Sequence, residues 1–357
     1  MEALHRPRPP AHHRAGRAAP GDLRPPPPRR TSDRGRRQHR AVRPGAGLMT
    51  VVAIGAYIVD LYMFGDRLPE PGQSVNAADY ATAHGGKAAN VAVAAARLGA
   101  PTSFVGCLGD DGARPVALAE LRAEGIDVGD CTTAIGVATG RSFVYVDAGG
   151  GQLVMTWPGA ADLLPPAQAA TAVADLPTGS VLVLQGEIPL EISYAAATAA
   201  PVGVRVLLNP SPAGPFREGT GKELLARADV LVLNEGELSA LAGDTPGDLD
   251  DLRGRTRGRT VVVTRGEHGA EIADDGGTML IDVPSVRVVD TTGAGDAFTG
   301  ALAAALRAGT GLVRGVRLAC QVATVSVTRR FCAPSYPSAA ELGIAPLHGP
   351  SVQERPA

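Results

Sequence analysis

No run of eighteen apolar residues occurs anywhere in the 357-residue chain, so no membrane-spanning helix is expected. Cysteine is sparse. Cys107, Cys131, Cys320 and Cys332 show no CxxC or other paired spacing. That argues against a disulfide framework or a zinc site and fits reduced thiols in a cytoplasmic protein. No GxxxxGK[ST] phosphate loop is present, and GAGDAF at 293–298 lacks the third glycine of a dinucleotide fingerprint. Internal repeats are absent as well. What the chain does have is 45 % hydrophobic residues with 20 % charged, the balance of a soluble globular protein with room for one large domain or two ordinary ones.

The first 48 residues are different in kind. They hold twelve arginines, no lysine, three acids and nine prolines, with PPPP at 25–28. Such a segment cannot bury a core and is expected to be disordered. A nucleic-acid-binding arm or a transit peptide would have this composition. The simpler expectation is that Met49, just ahead of VVAIG, is the natural start and the tail an upstream translation artefact. The tail carries nine net positive charges, so a whole-chain charge of −2 leaves −11 on the remainder. An acidic folded part argues against nucleic acid as a partner. Residues 346–357 are expected to form a flexible C-terminus, leaving 49–345 as the folded domain.

From residue 51 onward, strand-like runs alternate with helical ones. VVAIG (51–55) is followed by the Ala-rich helix AANVAVAAARLG (88–99) and by SFVG (103–106). VLVLQG (181–186), VRVLLNP (204–210), DVLVLNE (229–235) and RTVVVTRG (259–266) continue the pattern. Apolar, β-branched strands between helices predict an α/β fold, a doubly wound and mostly parallel sheet with helices on both faces. In such sheets ligands bind beyond the carboxyl ends of the strands. Segments 61–83 and 141–157 break the rhythm and read as hairpin strands, a small β-sheet suited to a lid.

The strongest local signal is VVDTTGAGDAF at 288–298. RVV reads as a strand ending at Asp290, Gly293-Ala294-Gly295 as the loop that opens a helix, and 297–308 as a buried Ala/Leu helix. Unpaired N–H groups and partial positive charge make such a helix start an anion site, and glycines let a phosphate approach the backbone. Asp296 is the oddity, since a carboxylate there repels phosphate unless it takes a proton. It reads either as an ordinary helix-capping acid or as a base in phosphoryl transfer. GGKAAN (85–90) is a second glycine-rich helix start with Lys87 and Asn90 as donors for hydroxyls; alone it is as well a turn. NEGE (234–237) suits a magnesium ion held through water, or a capped helix. TRGEHGA (264–270) follows another strand at the same sheet edge.

In order, GAYIVD, GGKAAN, LQGE, NPSPA, NEGE, TRGEHG and DTTGAGDAF resemble the motifs of the ribokinase-like (PfkB) carbohydrate kinases, over about residues 51–345. The resemblance implies ATP-dependent phosphorylation of a sugar primary hydroxyl, ribose to ribose 5-phosphate foremost, by a cytoplasmic enzyme that dimerises through its β lid. It implies that Asp296 is the catalytic base and that the Gly293-Ala294-Gly295 amides are the anion hole. It assigns Asp60, Gly86, Lys87, Asn90 and Glu187 to the sugar, and Asn234, Thr264, Arg265, Gly266, Gly269 and Cys320 to ATP. Glu237 would hold Mg2+ through water. Asp290, Thr292, Ser326, Arg329, Phe331 and Ser335 would form a monovalent-cation site for activating K+, largely through backbone carbonyls.

Five positions depart from the pattern. Ile58 stands where these kinases usually carry a polar residue, and losing a hydrogen bond to a sugar hydroxyl costs about 1 to 3 kcal/mol, enough to change sugar preference. Ala88 replaces a common Gly, Phe331-Cys332 a small Gly-Ala pair, and Cys320 a His beside the adenine. A nucleoside kinase of the same fold and a non-catalytic sugar-binding relative are the alternatives, the latter at odds with an intact GAGD.

Overall fold

The computed structural model describes residues 48–148, 151–242, 249–258 and 260–348. The expectations placed on residues 1–47 and 349–357 fall outside these. The chain enters β1 (Val51–Ile54), then β2 (Ile58–Phe64) and β3 (Asp79–Gly85), then α1 (Lys87–Arg97), β4 (Thr102–Val105) and β5 (Cys107–Gly109). Next come α2 (Ala113–Ala123), β6 (Thr132–Ala134), β7 (Thr139–Val146), β8 (Gln152–Gly159), α3 (Pro166–Val173), β9 (Val181–Leu184) and α4 (Leu190–Ala199). After β10 (Arg205–Leu208) follow α5 (Gly219–Leu225), β11 (Val230–Asn234), α6 (Glu235–Ala242) and α7 (Leu249–Gly254). The last elements are β12 (Thr260–Thr264), β13 (Ala270–Asp274), β14 (Gly277–Ile281), α8 (Ala294–Arg307) and α9 (Leu312–Ser326).

Eight strands form the main sheet in the order β14-β13-β12-β11-β10-β9-β1-β4. From β4 to β12 every neighbouring pair is parallel, and β13 and β14 extend the edge antiparallel. The strands are apolar throughout because both faces are covered, and alternate residues serve alternate faces. Val51, Ala53, Val181 and Val183 pack with α1, α8 and α9, whereas Val52, Ile54, Leu182 and Leu184 pack with α3, α4 and α5. α1 and α8 cross closely because residue 300 is glycine, where a Cβ would stand 2.5 Å from the Val91 carbonyl oxygen. That crossing positions the site described below.

Segments 61–83 and 141–157 contribute to a separate four-stranded sheet, ordered β3-β2-β7-β8. β2 runs antiparallel to β3 and parallel to β7, and β7 antiparallel to β8. The short parallel pair β5–β6 lies apart and was not expected.

Three local expectations need correction. Residues 287–289 are not a strand: the chain there has no sheet partner, and the Val289 and Asp290 amides donate to the Val327 carbonyl just beyond α9, at 2.8 and 3.2 Å. Ala294 and Gly295 lie in the first turn of α8 rather than in the loop before it. The C-terminal segment is fixed through residue 348. The Leu347 amide donates to the Leu98 carbonyl at 2.7 Å, and the buried Arg307 guanidinium donates to the carbonyls of Met49, Leu347 and His348 at 2.8, 2.8 and 2.9 Å. No helix among the described residues is long and apolar enough to cross a membrane.

Candidate active site

The carboxyl ends of β9, β10, β11 and β12 face the amino ends of α1 and α8. Between them lies a pocket of about 180 Å³, lined among others by Lys87, Asn209, Asn234, Glu237, Gly295 and Asp296. Asp296 sits in the first turn of α8, 7 % exposed. Its Oδ2 accepts a hydrogen bond from Asn90 Nδ2 at 2.8 Å, across the α1–α8 crossing. The other end of that amide, Asn90 Oδ1, is buried without a protein partner, and so are both polar atoms of Gln185, just past β9. A buried polar atom left unpaired costs about 1–3 kcal/mol. Such atoms are ready to receive the hydroxyl groups of a ligand.

The charges are unbalanced. Lys87, at the start of α1, feels three neighbouring carboxyl groups, those of Asp296, Glu187 and Glu237, and the carboxylate of Asp296 foremost raises its pKa. Burial raises the pKa of Asp296 and Glu187, opposed by Lys87 and, at Asp296, by the Asn90 hydrogen bond. Asp60, on β2, is pushed up to about 7 by burial and by the charges of Glu187 and Asp296. A carboxyl group whose affinity for protons is raised above the usual acid range is a competent general base near neutral pH.

The start of α8 forms another wall of the pocket. Gly293 caps the helix at φ +76, and a Cβ there would come 2.5 Å from the Tyr336 hydroxyl, which donates to the Gly293 carbonyl at 3.0 Å. A Cβ on Gly295 would meet no protein atom within 4 Å, so the first turn of the helix is open to an approaching anion. The Thr299 hydroxyl donates to the Gly295 carbonyl at 2.7 Å and steadies that turn.

The profile of the pfkB family carbohydrate kinases matches residues 49–339 of this chain. The chain belongs to that family. It is 30% identical over 299 residues to the ribokinase of Haemophilus influenzae, covering 82% of this chain and 96% of the relative. It is 31% identical over 297 residues to the deoxyribokinase of Salmonella typhimurium, covering 81% and 96%. The structure of Arabidopsis thaliana ribokinase complexed with ribose and ATP superposes with a TM-score of 0.72 at 29% identity, covering 83% of this chain and 97% of that one. This carbohydrate kinase therefore has ribokinases and a deoxyribokinase among its relatives, and a ribokinase-like fold.

The remaining predicted residues of the kinase are distributed as follows. Gly86 is the cap of α1 at φ +88. The Lys87 amide donates to Glu187 Oε2 at 2.7 Å, which ties the end of β9 to the start of α1. Asn234 and Glu237 form a reciprocal helix cap: the Asn234 amide donates to Glu237 Oε2 at 2.9 Å, and the Glu237 amide to Asn234 Oδ1 at 2.8 Å. The capping alternative for NEGE is thus realised, and both side chains also line the pocket. Thr264 lines it too. Arg265 pairs instead with Glu235 and Glu271, each at 2.8 Å, and Gly266 and Gly269 turn the chain at φ +54 and +81. Cys320 is buried in α9 against the core and does not line this pocket.

Ahead of α8, Asp290 Oδ1 accepts from the amide and hydroxyl of Thr292, at 2.9 and 2.6 Å, and Oδ2 from the Phe331 amide at 2.9 Å. The Ser326 carbonyl accepts from the Arg329 amide at 3.0 Å, and the Ser335 carbonyl from Arg329 Nη1 at 3.4 Å. Glu341 pairs with that guanidinium at 2.8 Å. Ile58 is buried on β2 between its register partners Gly85 and Gly140, and its Cδ1 occupies the space a Gly140 side chain would need. Four further residues emerge from the structure. Asn209, Ser211 and Thr299 line the pocket, and Tyr336 braces Gly293. NPSPA carried the first two in the sequence without indicating a role.

Proposed function

We propose that this kinase transfers the γ-phosphoryl group of ATP to the primary hydroxyl of a pentose, ribose foremost, giving ribose 5-phosphate. The observation that carries this reading is the buried Asn90–Asp296 pair, with Asn90 Oδ1 unpaired, at the open first turn of α8. Asp60, Lys87, Asn90, Glu187 and the cap of α1 at Gly86 grip the sugar hydroxyls. Asp296 accepts the proton of the attacking hydroxyl. The backbone of Gly293, Ala294 and Gly295 stabilises the charge that develops on the phosphoryl group. Asn234, Thr264 and the 265–269 turn hold the nucleotide.

Glu237, the pocket carboxylate at the β11 end, across from Asp296, is a suitable donor for magnesium held mainly by phosphates and water. The ion supplies charge neutralisation. The oxygens at 290, 292, 326, 329, 331 and 335 suit a potassium ion that orders the loop ahead of Gly293. The four-stranded sheet acts as the lid and excludes water, which would otherwise compete as acceptor. Its outer strand β8 leaves Leu153, Met155 and Trp157 exposed on one face, an apolar patch that a second copy would cover in a homodimer. The four free thiols suit a cytoplasmic enzyme.

A second reading is an acceptor lacking one hydroxyl, such as deoxyribose. Ile58, two residues from Asp60 on the same face of β2, favours it. Phosphorus NMR of the product formed from ATP, magnesium and ribose tests the first reading. A signal split by two equivalent-carbon protons marks phosphate on the primary carbon; a signal coupled to one proton, or product from deoxyribose alone, refutes it.

A further inference from the structure

Two neighbouring side chains join the lid to the loop after α9: the Arg330 guanidinium lies 5.5 Å over the Phe64 ring, and Phe331 packs more closely. Phe331 has φ +69, the only positive φ outside glycine among the described residues. A bulky residue is held in that conformation only when its surroundings over-determine it, and such outliers gather at functional sites. Its backbone amide donates to Asp290, which in turn receives the amide and hydroxyl of Thr292, the residue before the Gly293 cap of α8. Its ring stands edge-on to Tyr62 at 5.0 Å between centroids and to Phe64 at 6.3 Å. Those two rings stack on one another at 6.1 Å. They lie on β2, two and four residues beyond Asp60 and on the same strand face. Elsewhere the lid and the 287–291 loop are separated by a hollow of about 830 Å³, and Phe331 forms part of its wall.

We propose that Phe331 is a positioning residue that couples the lid to the anion-hole loop, so that the sugar grip and the phosphate cradle assemble together. The proposal rests on the roles given above to Asp60 and Asp296. Its amide holds the Asp290–Thr292 turn in place, and its ring holds β2 down over the site. With the ring removed, the turn keeps its hydrogen bond, but the lid loses both edge-on ring contacts and is left with Arg330 over Phe64. Sugar then binds less well, and water reaches the phosphoryl group.

Phe331→Gly tests this cleanly, because glycine accepts the positive φ and retains the amide donor. The KM for ribose should rise about five- to tenfold, from two lost ring contacts, with kcat within about twofold. More than one ADP should be released per sugar phosphate formed. Phe331→Tyr should restore both values. Phe64→Leu should raise KM less, and add nothing in the Phe331→Gly background, because contacting residues are not additive. Hydrogen exchange on the ligand-free protein reads the coupling without turnover. In Phe331→Gly it should quicken in 58–64 and in 290–293 together. Wild-type KM and stoichiometry in Phe331→Gly, additive effects with Phe64→Leu, or exchange changes confined to 329–332 would each overturn the coupling. A wild-type enzyme inactive on every sugar would instead refute the acceptor reading, and exchange would still decide the coupling.

Discussion

Replacing Asn90 with alanine isolates its hydrogen bond to Asp296, the proposed base. Asn90 Nδ2 donates at 2.8 Å to a carboxylate that is almost fully buried. A hydrogen bond to a charged group is worth about 1.5–3 kcal/mol. The bond favours the ionised form of Asp296 and so opposes the rise that burial imposes. Removing it should raise the affinity of Asp296 for its proton. Since the proposed base must be ionised to accept the hydroxyl proton, the acid limb of the pH–rate profile should move upward. The lost bond, about 1.5–3 kcal/mol, limits the fall in kcat/KM on that limb to about 10- to 100-fold, and the loss should shrink as pH rises. The ligand-free protein should keep its Tm nearly unchanged, because the substitution also removes the unpaired Asn90 Oδ1. Coupled ADP-release assays from pH 5.5 to 9 read both effects. An acid limb that stays in place while kcat/KM falls equally at every pH would refute the reasoning and reduce Asn90 to a sugar contact.

Gly293→Ala forces a Cβ into a left-handed position 2.5 Å from the Tyr336 hydroxyl, at a cost of about 1–3 kcal/mol. Urea unfolding should show that loss together with at least a tenfold fall in kcat; full activity would exclude the Gly293 turn from the anion hole. Asp60 binds its proton more tightly when folded, at about 7 against 3.8. The folded state therefore holds more protons across that interval, so stability from Asp60 is present at low pH and lost as pH rises toward 7. At about 1.36 kcal/mol per unit the effect is a few kcal/mol. Asp60→Asn should abolish it, so that the wild type and the variant converge in urea midpoint at low pH and diverge, variant higher, by pH 8. A difference independent of pH would contradict this.

The parallel sheet was legible because strands buried on both faces must be apolar throughout, and VLVL and VVV runs between Ala-rich helices have few other homes. The 290–296 signature was legible because its parts are local: glycines, an acid and a helix start adjoin in the sequence. Asn90 and Asp296 are 206 positions apart, and their meeting depends on the α1–α8 crossing at Gly300, which no local pattern announces. RVV misled because β-branched residues favour extended chain whether or not a partner strand is present. Residues 287–289 have none. NEGE carried two meanings, and the structure realises the capping one while leaving both side chains on the pocket. The unpaired Gln185 amide could not be anticipated either, since partnership of a buried side chain is a property of its surroundings alone.

Whether Asp296 is the base of a sugar kinase is decided by one assay. ADP release from ATP and magnesium is measured with ribose, deoxyribose, fructose, adenosine, inosine and pseudouridine, with and without potassium, for the wild type and for Asp296→Asn. With Asp296 as the base, turnover on ribose should fall by about 10²- to 10⁴-fold in the variant, with binding of ATP retained. Ribose turnover that survives in Asp296→Asn, or turnover on nucleosides alone, would contradict that role.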